Sequence, residues 1–183
     1  FTRFLMPFPA ATRLAPRKRV GALLSVAARA HERLGPGALT LEVFGEGSLR
    51  PWLEARTRAL GLEEVVRLPG RVSRAELAAA WAGADVYLSP TRLEAFGIAA
   101  LEARTAGLPV IARGDSGVRE VVTDGVSGLL AADDAGLADA LVRLVADDSL
   151  RARLAQHNRT TPPAQTWARV VEQVAAEYRR AGA

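Results

Sequence analysis

The spacing of apolar and polar positions changes period several times along the chain, and each change marks an element. Between 17 and 34, Val20, Leu23, Leu24, Ala27 and Ala28 recur at helical spacing, and "GPG" at 35–37 supplies the stop. "LTLEVFG" then reads as a strand. Ser48 is placed to cap the next helix, which tolerates Pro51 in its first turn, sets Leu49, Trp52 and Leu53 on one face and closes at Gly61. "EVVRLPG" is the following strand, and "SRAE" at 73–76 is a capping box opening a helix with Leu77, Ala80 and Trp81 inward.

The second half continues the alternation. "DVYLSP" reads as a strand, "AFGIAALEARTA" as a helix stopped by "GLP", and "PVIA" as a strand. "SGVREVV" is a short helix and "SGLLA" a last short strand. Asp134 is placed to cap a helix bearing Leu137, Leu141, Leu144 and Val145. Residues 166–180 repeat that pattern with Trp167, Val170, Val171, Val174 and Tyr178. Residues 1–9, with Pro7 and Pro9, read as a boundary or linker segment.

Strands alternating with helices imply βαβ units. The expected fold is α/β: a Rossmann-like three-layer domain with a parallel sheet covered on both faces. In such sheets ligands bind beyond the carboxyl ends of the strands. The unusual residues do gather in the loops that follow strands: "TRLAPRK", "GEGS", "GRVS", "SPTRLEAFG" and "RGDSG".

Composition narrows the picture. A chain of 183 residues is about one domain, burying roughly 70% of its unfolded surface. Apolar residues make up 49% and aromatics only 5%, so Ala, Leu and Val must build the core. No run approaches the ~20 apolar residues of a membrane span, and "FTRFLMPFPA" lacks a secretory pattern. The absence of cysteine excludes disulfides and thiolate metal sites and agrees with a cytoplasmic location. The net charge of +4 and pI near 10.5 reflect arginine usage. The arginines are scattered and interleaved with acids, as on solvated helix faces, so nucleic acid is not the expected partner. The single lysine is Lys18.

Four groups of residues carry candidate chemistry. Ala95, Phe96 and Gly97 are placed at a helix N-terminus, where free N–H groups and the dipole favour an anion and glycine admits close approach. Glu94 precedes this turn and Glu102 lies inside the helix. Eight helical residues span about 12 Å, too far for an acid/base pair on one bond. Two separate polyols of one extended ligand fit that spacing, as in a nucleotide-sugar; a salt-bridged helix glutamate is the plainer reading of Glu102. Arg13 and Lys18 can place two cations over one diphosphate, or simply form a basic helix start. For Gly45 and Gly47 in "GEGS", close approach of a ligand and a tight turn both suffice. No D-x-D occurs, and His31 and His157 are isolated, so no metal is expected.

"TRLAPRKRV", "FGEGSLRPWLE", "LPGRVSRAELAAAWAGADVYLSPTRLEAFGIAALEARTAGLPVIA" and "SGVREVVTDGVSGLLA", in this order and spacing over roughly 10–180, resemble the C-terminal half of retaining glycosyltransferases of family 4, the group-1 type, with the GT-B architecture. The E-x7-E motif, Glu94 to Glu102, is the most specific element. The resemblance implies that Arg13 and Lys18 hold the donor diphosphate, that Glu102 binds the ribose hydroxyls and that Glu94 sits beside the donor sugar. It further implies that the backbone of Phe96, Gly97 and Ile98 contacts phosphate and sugar, that Arg71 and Val72 flank the base, and that Glu120 is a structural support.

Three positions depart from that pattern: Thr12 and Arg19 stand where glycines are usual, and Ser116 replaces one glycine of a pair. Arg19 is expected to crowd the phosphates or add charge beside them.

The implied activity is transfer of a hexosyl group from a UDP- or GDP-sugar to an acceptor hydroxyl, with residues 10–165 as the donor-binding domain. Residues 166–183 would form a helix packing toward an N-terminal acceptor domain that 183 residues cannot also hold. Without that half the chain is expected to bind donor but not to turn over, and any peripheral membrane contact would come through it. The alternatives are a non-catalytic nucleotide-binding module of the same fold and half of a sugar-nucleotide epimerase.

Overall fold

The five strands read from the sequence join a sixth, Thr2–Met6, in one sheet in the order Val66–Gly70, Leu39–Phe44, Thr2–Met6, Val86–Ser89, Val110–Arg113, Gly128–Ala131, and every pairing is parallel. The computed structural model describes residues 2–6, 14–164 and 167–182. Its elements are β1 (Thr2–Met6), α1 (Val20–Leu34), β2 (Leu39–Phe44), α2 (Arg50–Ala59), β3 (Val66–Gly70), α3 (Arg74–Ala82), β4 (Val86–Ser89), α4 (Ile98–Thr105), β5 (Val110–Arg113), β6 (Gly128–Ala131), α5 (Asp134–Ala146), α6 (Asp148–Thr160) and α7 (Trp167–Arg180). Short 3-10 turns occupy Pro16–Lys18 and Gly117–Glu120.

The strand order reverses between β1 and β4. Right-handed crossovers then carry α1 and α4 to opposite faces, because they lead outward from the centre in opposite directions. α1 packs on α2 and α5, and α4 packs on α6. The core is Leu, Val and Ala with few rings, as the composition requires: Leu23, Leu24, Leu41, Leu53, Leu88, Ile111 and Leu137 are fully buried. β4 and β5 are buried at every position, the pattern of a parallel sheet covered on both sides.

Local chemistry explains most boundaries. Ser73 and Glu76 form the expected capping box at α3, with Ser73 Oγ accepting from the Glu76 N–H and Glu76 accepting from the Ser73 N–H. Two expected caps fall elsewhere. Asp133, not Asp134, caps α5 by accepting from the Gly136 N–H at 2.7 Å. α2 starts after Leu49 with no side-chain cap, so Ser48 does not cap it.

One larger expectation is corrected: Thr2–Met6, read as part of a boundary segment over 1–9, is a strand that pairs with both β2 and β4 at the centre of the sheet, while Pro7 and Pro9 lie outside the described residues. α6 had no sequence signal, because it buries little apolar surface. Its inward positions are Leu150, Leu154 and Asn158, and the buried Asn158 amide donates to the Leu108 and Ser127 carbonyls while its oxygen accepts from Arg104. On α7, Val170, Val171, Val174 and Tyr178 are exposed. No helix among the described residues is long and apolar enough to cross a membrane.

Candidate functional site

The reversal point of a doubly wound sheet leaves a crevice beyond the strand ends, because the two connections leave it in opposite directions. Here that crevice lies between the 3-10 turn Pro16–Lys18, just before α1, and the loop 90–97 after β4, and Lys18 Nζ reaches Glu94 Oε2 at 3.3 Å across 76 positions of sequence. Both side chains keep about a quarter of their surface exposed, so a ligand can reach them. Arg13 lies outside the described residues.

Glu94 is held on three sides. Its Oε1 accepts from the Gly97 N–H at 3.4 Å and its carbonyl accepts from the Gly117 N–H at 2.8 Å. Gly97 is the N-cap of α4 with φ 85°, a left-handed conformation that glycine adopts without strain. A Cβ there would also meet Val118 Cγ2 at 2.9 Å. Phe96 is half-buried against the core and Ile98 is largely exposed. α4 begins only at Ile98, so the eight-residue spacing is part loop and part helix, and the 12 Å expected for a continuous helix does not apply.

Glu102 sits one turn into α4, beside a cleft of about 370 Å³ lined by Trp81, Leu101, Glu102, Thr105 and Ala106. Desolvation raises its pKa, and the Arg74 charge at the start of α3 opposes this. Burial also raises the pKa of Tyr87 on β4, and its hydroxyl senses the charges of both Glu94 and Glu102. The two carboxylates therefore share one electrostatic neighbourhood. Arg74 links that neighbourhood to exposed Arg71 and half-buried Val72, which follow β3 on the outer edge of the sheet.

Gly45 and Gly47 resolve differently. Gly45, at φ 130°, donates its N–H to the Gly70 carbonyl and continues the sheet edge. A Cβ on Gly47 would lie 2.3 Å from Leu14 N, so the protein's own main chain already fills that approach. Ser116 caps the turn 117–120, its Oγ accepting from the Val118 N–H and donating to the Arg113 carbonyl. Glu120 is exposed at the end of that turn.

Arg19 holds an unexpected place. Among the described residues it is the one non-glycine with positive φ, at 52°, a conformation that costs an ordinary side chain about 1–2 kcal/mol. Its guanidinium donates to both oxygens of Asp134, at 2.9 and 2.7 Å, and to the Pro90 carbonyl at 2.9 Å. The expectation of added charge near phosphate is thereby changed, because the fork is already engaged. Arg113 and Asp115 were not singled out from the sequence, and Asp134 only as a helix cap, since their relation depends on which strands are neighbours. Among the described residues no three His, Asp or Glu side chains cluster as a metal site would need.

The profile of the glycosyl transferases group 1 family matches residues 8–161. The chain belongs to that family. It is 37% identical to the D-inositol 3-phosphate glycosyltransferase of Xylanimonas cellulosilytica, covering 82% of this chain and 41% of that protein. It is 41% identical to the phosphatidyl-myo-inositol mannosyltransferase of Mycobacterium leprae, covering 68% of this chain and 34% of that protein. This group 1 domain therefore spans well under half the length of either relative. Its fold superposes on S. aureus TarM, solved with UDP and α-GlcNAc-glycerol, with a TM-score of 0.76 at 23% identity, over 87% of this chain and 31% of TarM. The fold class is the Rossmann-like domain of GT-B glycosyltransferases.

Proposed function

We propose that this group 1 domain binds a nucleoside diphosphate sugar, UDP- or GDP-linked, and is the donor half of a family 4 retaining glycosyltransferase that passes a hexosyl group to an acceptor hydroxyl. The observation that carries this reading is the Lys18–Glu94 contact at the sheet's reversal point, beside the glycine-capped start of α4. It brings a cation and a carboxylate together beside the N-terminus of a helix, which supports a ligand with a charged diphosphate and a polyol. The UDP bound by TarM, which shares the fold, supports the ligand class.

In this reading the bond between the anomeric carbon and the diphosphate oxygen breaks, the acceptor oxygen bonds to the same face, and the acceptor's proton passes to the departing diphosphate. Lys18, with Arg13, stabilises the negative charge that develops on the departing diphosphate. The N–H groups at the start of α4 add a fixed positive potential. Glu94 orients the sugar and is not the nucleophile. Glu102 accepts from the ribose hydroxyls, and its desolvated position strengthens those bonds. Phe96, Gly97 and Ile98 supply main-chain contacts, Arg71 and Val72 flank the base, and Gly45 closes the neighbouring strand end.

The neutralising charges are side chains, so the reading needs no metal. The acceptor that carries the hydroxyl would be bound by an N-terminal domain of the longer protein, against which α7 would pack, and any membrane contact would belong to that half. The full protein would work in the cytoplasm or at its membrane face. A non-catalytic module or half of an epimerase is not favoured, because the similar proteins are glycosyltransferases.

Isothermal titration of the folded chain with UDP- and GDP-sugars tests the proposal. Heat that saturates at one site per chain is expected with one of the two. No heat with either refutes it.

A further inference from the structure

The Arg19 clamp carries an inference that rests on the donor-site reading above and assigns a residue that reading does not use. Arg19 directly follows Lys18 and is the N-cap of α1. The left-handed backbone of Arg19 is held by its N–H donating to the Pro16 carbonyl and by its carbonyl accepting from the Ala22 N–H, and the side chain adds its own grip. Here it grips two things at once: Asp134 at the first position of α5, through two parallel hydrogen bonds, and the carbonyl of Pro90, where the loop 90–97 leaves β4. That planar, two-pronged geometry is specific to guanidinium.

The network runs on from Asp134. Arg113, nearly buried at the end of β5, lies 3.6 Å from Asp134 and donates twice to Asp115, at 2.9 and 2.7 Å. Asp115 in turn accepts from Arg92 at 3.2 Å, and Arg92 belongs to the same loop as Glu94. Five alternating charges thus start beside Lys18 and end two residues before Glu94. The loop is fastened at Pro90 by Arg19, at Arg92 by Asp115, and at Glu94 itself, whose carbonyl accepts from the Gly117 N–H.

We propose that Arg19 is a positioning residue for the donor site: by clamping Asp134 and the Pro90 carbonyl it holds Lys18 against the Glu94 loop, and it does not itself bind phosphate. The two accounts of Arg19 predict opposite signs for its partner. A clamp needs Asp134 as much as Arg19. A phosphate ligand would be released, and the site made more positive, when Asp134 loses its charge.

The test uses Arg19→Gly, which accepts the left-handed conformation and so removes the side chain without backbone strain, together with Asp134→Asn, the double variant and Arg19→Lys. Thermal melting confirms that each is folded. UDP is titrated into each at two salt concentrations, and amide exchange of Gly97 and Gly117 is followed without ligand.

The expected result is that Arg19→Gly and Asp134→Asn each weaken UDP binding about three- to tenfold, with the double variant no worse than either single one. Arg19→Lys fails to restore binding, the salt dependence matches the wild type, and the Gly117 amide exchanges faster in all four. The proposal is overturned if Asp134→Asn tightens UDP binding, or if Arg19→Gly reduces the salt slope by about one charge. It is equally overturned if exchange at Gly117 does not change. A wild-type chain that binds no UDP refutes the donor-site reading instead, and the clamp is then decided by the exchange arm, which needs no ligand.

Discussion

Replacing Gly117 by alanine isolates the packing that supports Glu94. An added Cβ would lie 1.9 Å from the Ala95 carbonyl oxygen and 2.8 Å from that of Glu94. Both are main-chain atoms, so no flexible side chain can turn aside, and the loop 90–97 must retreat by roughly 1.5 Å to reach an ordinary contact. The retreat breaks the hydrogen bond from the Gly117 N–H to the Glu94 carbonyl, now 2.8 Å, worth about 1 kcal/mol net. Overpacking a fixed backbone adds about 1–3 kcal/mol. The sum is about 2–4 kcal/mol, or a melting point lower by roughly 4–16 °C for a domain of this size. Gly117 does not have positive φ, so the loss is steric and not conformational. Gly114→Ala is the control, because its Cβ would meet Leu130 Cβ at 3.5 Å, the Ala131 carbonyl oxygen at 3.7 Å and Arg119 Nε at 4.0 Å, all ordinary contacts. Urea unfolding of the three proteins reads the difference directly, and UDP titration reads the displacement of Glu94. A Gly117→Ala chain within about 0.5 kcal/mol of wild type, with UDP affinity unchanged, would refute the account of how Glu94 is held.

Three further substitutions separate binding from stability. Lys18→Ala removes a partly exposed ion pair, so stability should fall by no more than about 1 kcal/mol. UDP binding should weaken about ten- to a hundredfold through loss of a charged hydrogen bond; calorimetry on both counts checks this. Glu102→Gln should weaken UDP binding yet leave the chain as stable or more stable at pH 7. Desolvation raises the folded-state pKa of Glu102, so its ionisation opposes folding. That penalty is absent below the unfolded value of about 4.3 and grows as pH rises through the folded one, and melting from pH 4 to 8 should show the variant's advantage growing in step. Asp115 has the opposite sign: hydrogen bonds from Arg113 lower its pKa to about 2. Its contribution is therefore complete above the unfolded value of about 3.9 and lost as pH falls toward 2. Asp115→Asn should melt below wild type at pH 6, and the gap should close between pH 4 and 2.

Much of this architecture is legible in the sequence because local rules and tertiary packing agree there. "SRAE" is a capping box in both, and the loops rich in glycine and charge do follow strands. What was not legible has physical causes. α6 hides its inward face behind Asn158, a polar residue that packs only because Leu108 and Ser127 offer carbonyls from distant loops. Pro7 and Pro9 next to a five-residue run made β1 read as a linker, whereas parallel neighbours on both sides supply the hydrogen bonds it needs. Adjacent Asp133 and Asp134 cannot be told apart as caps by pattern alone. Backbone direction gives one to Gly136 and frees the other for Arg19. In the candidate site, Glu94, Lys18 and Gly97 drew notice because each has a chemical motive visible in isolation, and the structure brings the three together. Arg19 was noticed only as a departure, and its role emerges from a partner 115 positions away.

The central position of β1 has a consequence for how the sheet comes together. β2–β3 and β4–β5–β6 make no strand pairing with each other, so five residues near the start of the chain join two otherwise separate ribbons. One ribbon docks on them after a single helix has formed, while the other must wait until about eighty residues have been threaded through three helices. Assembly is therefore dominated by a late, distant closure, which is slow. Trimming the first few residues as a dispensable tail would leave two raw edges facing each other across the very gap where Lys18 meets Glu94.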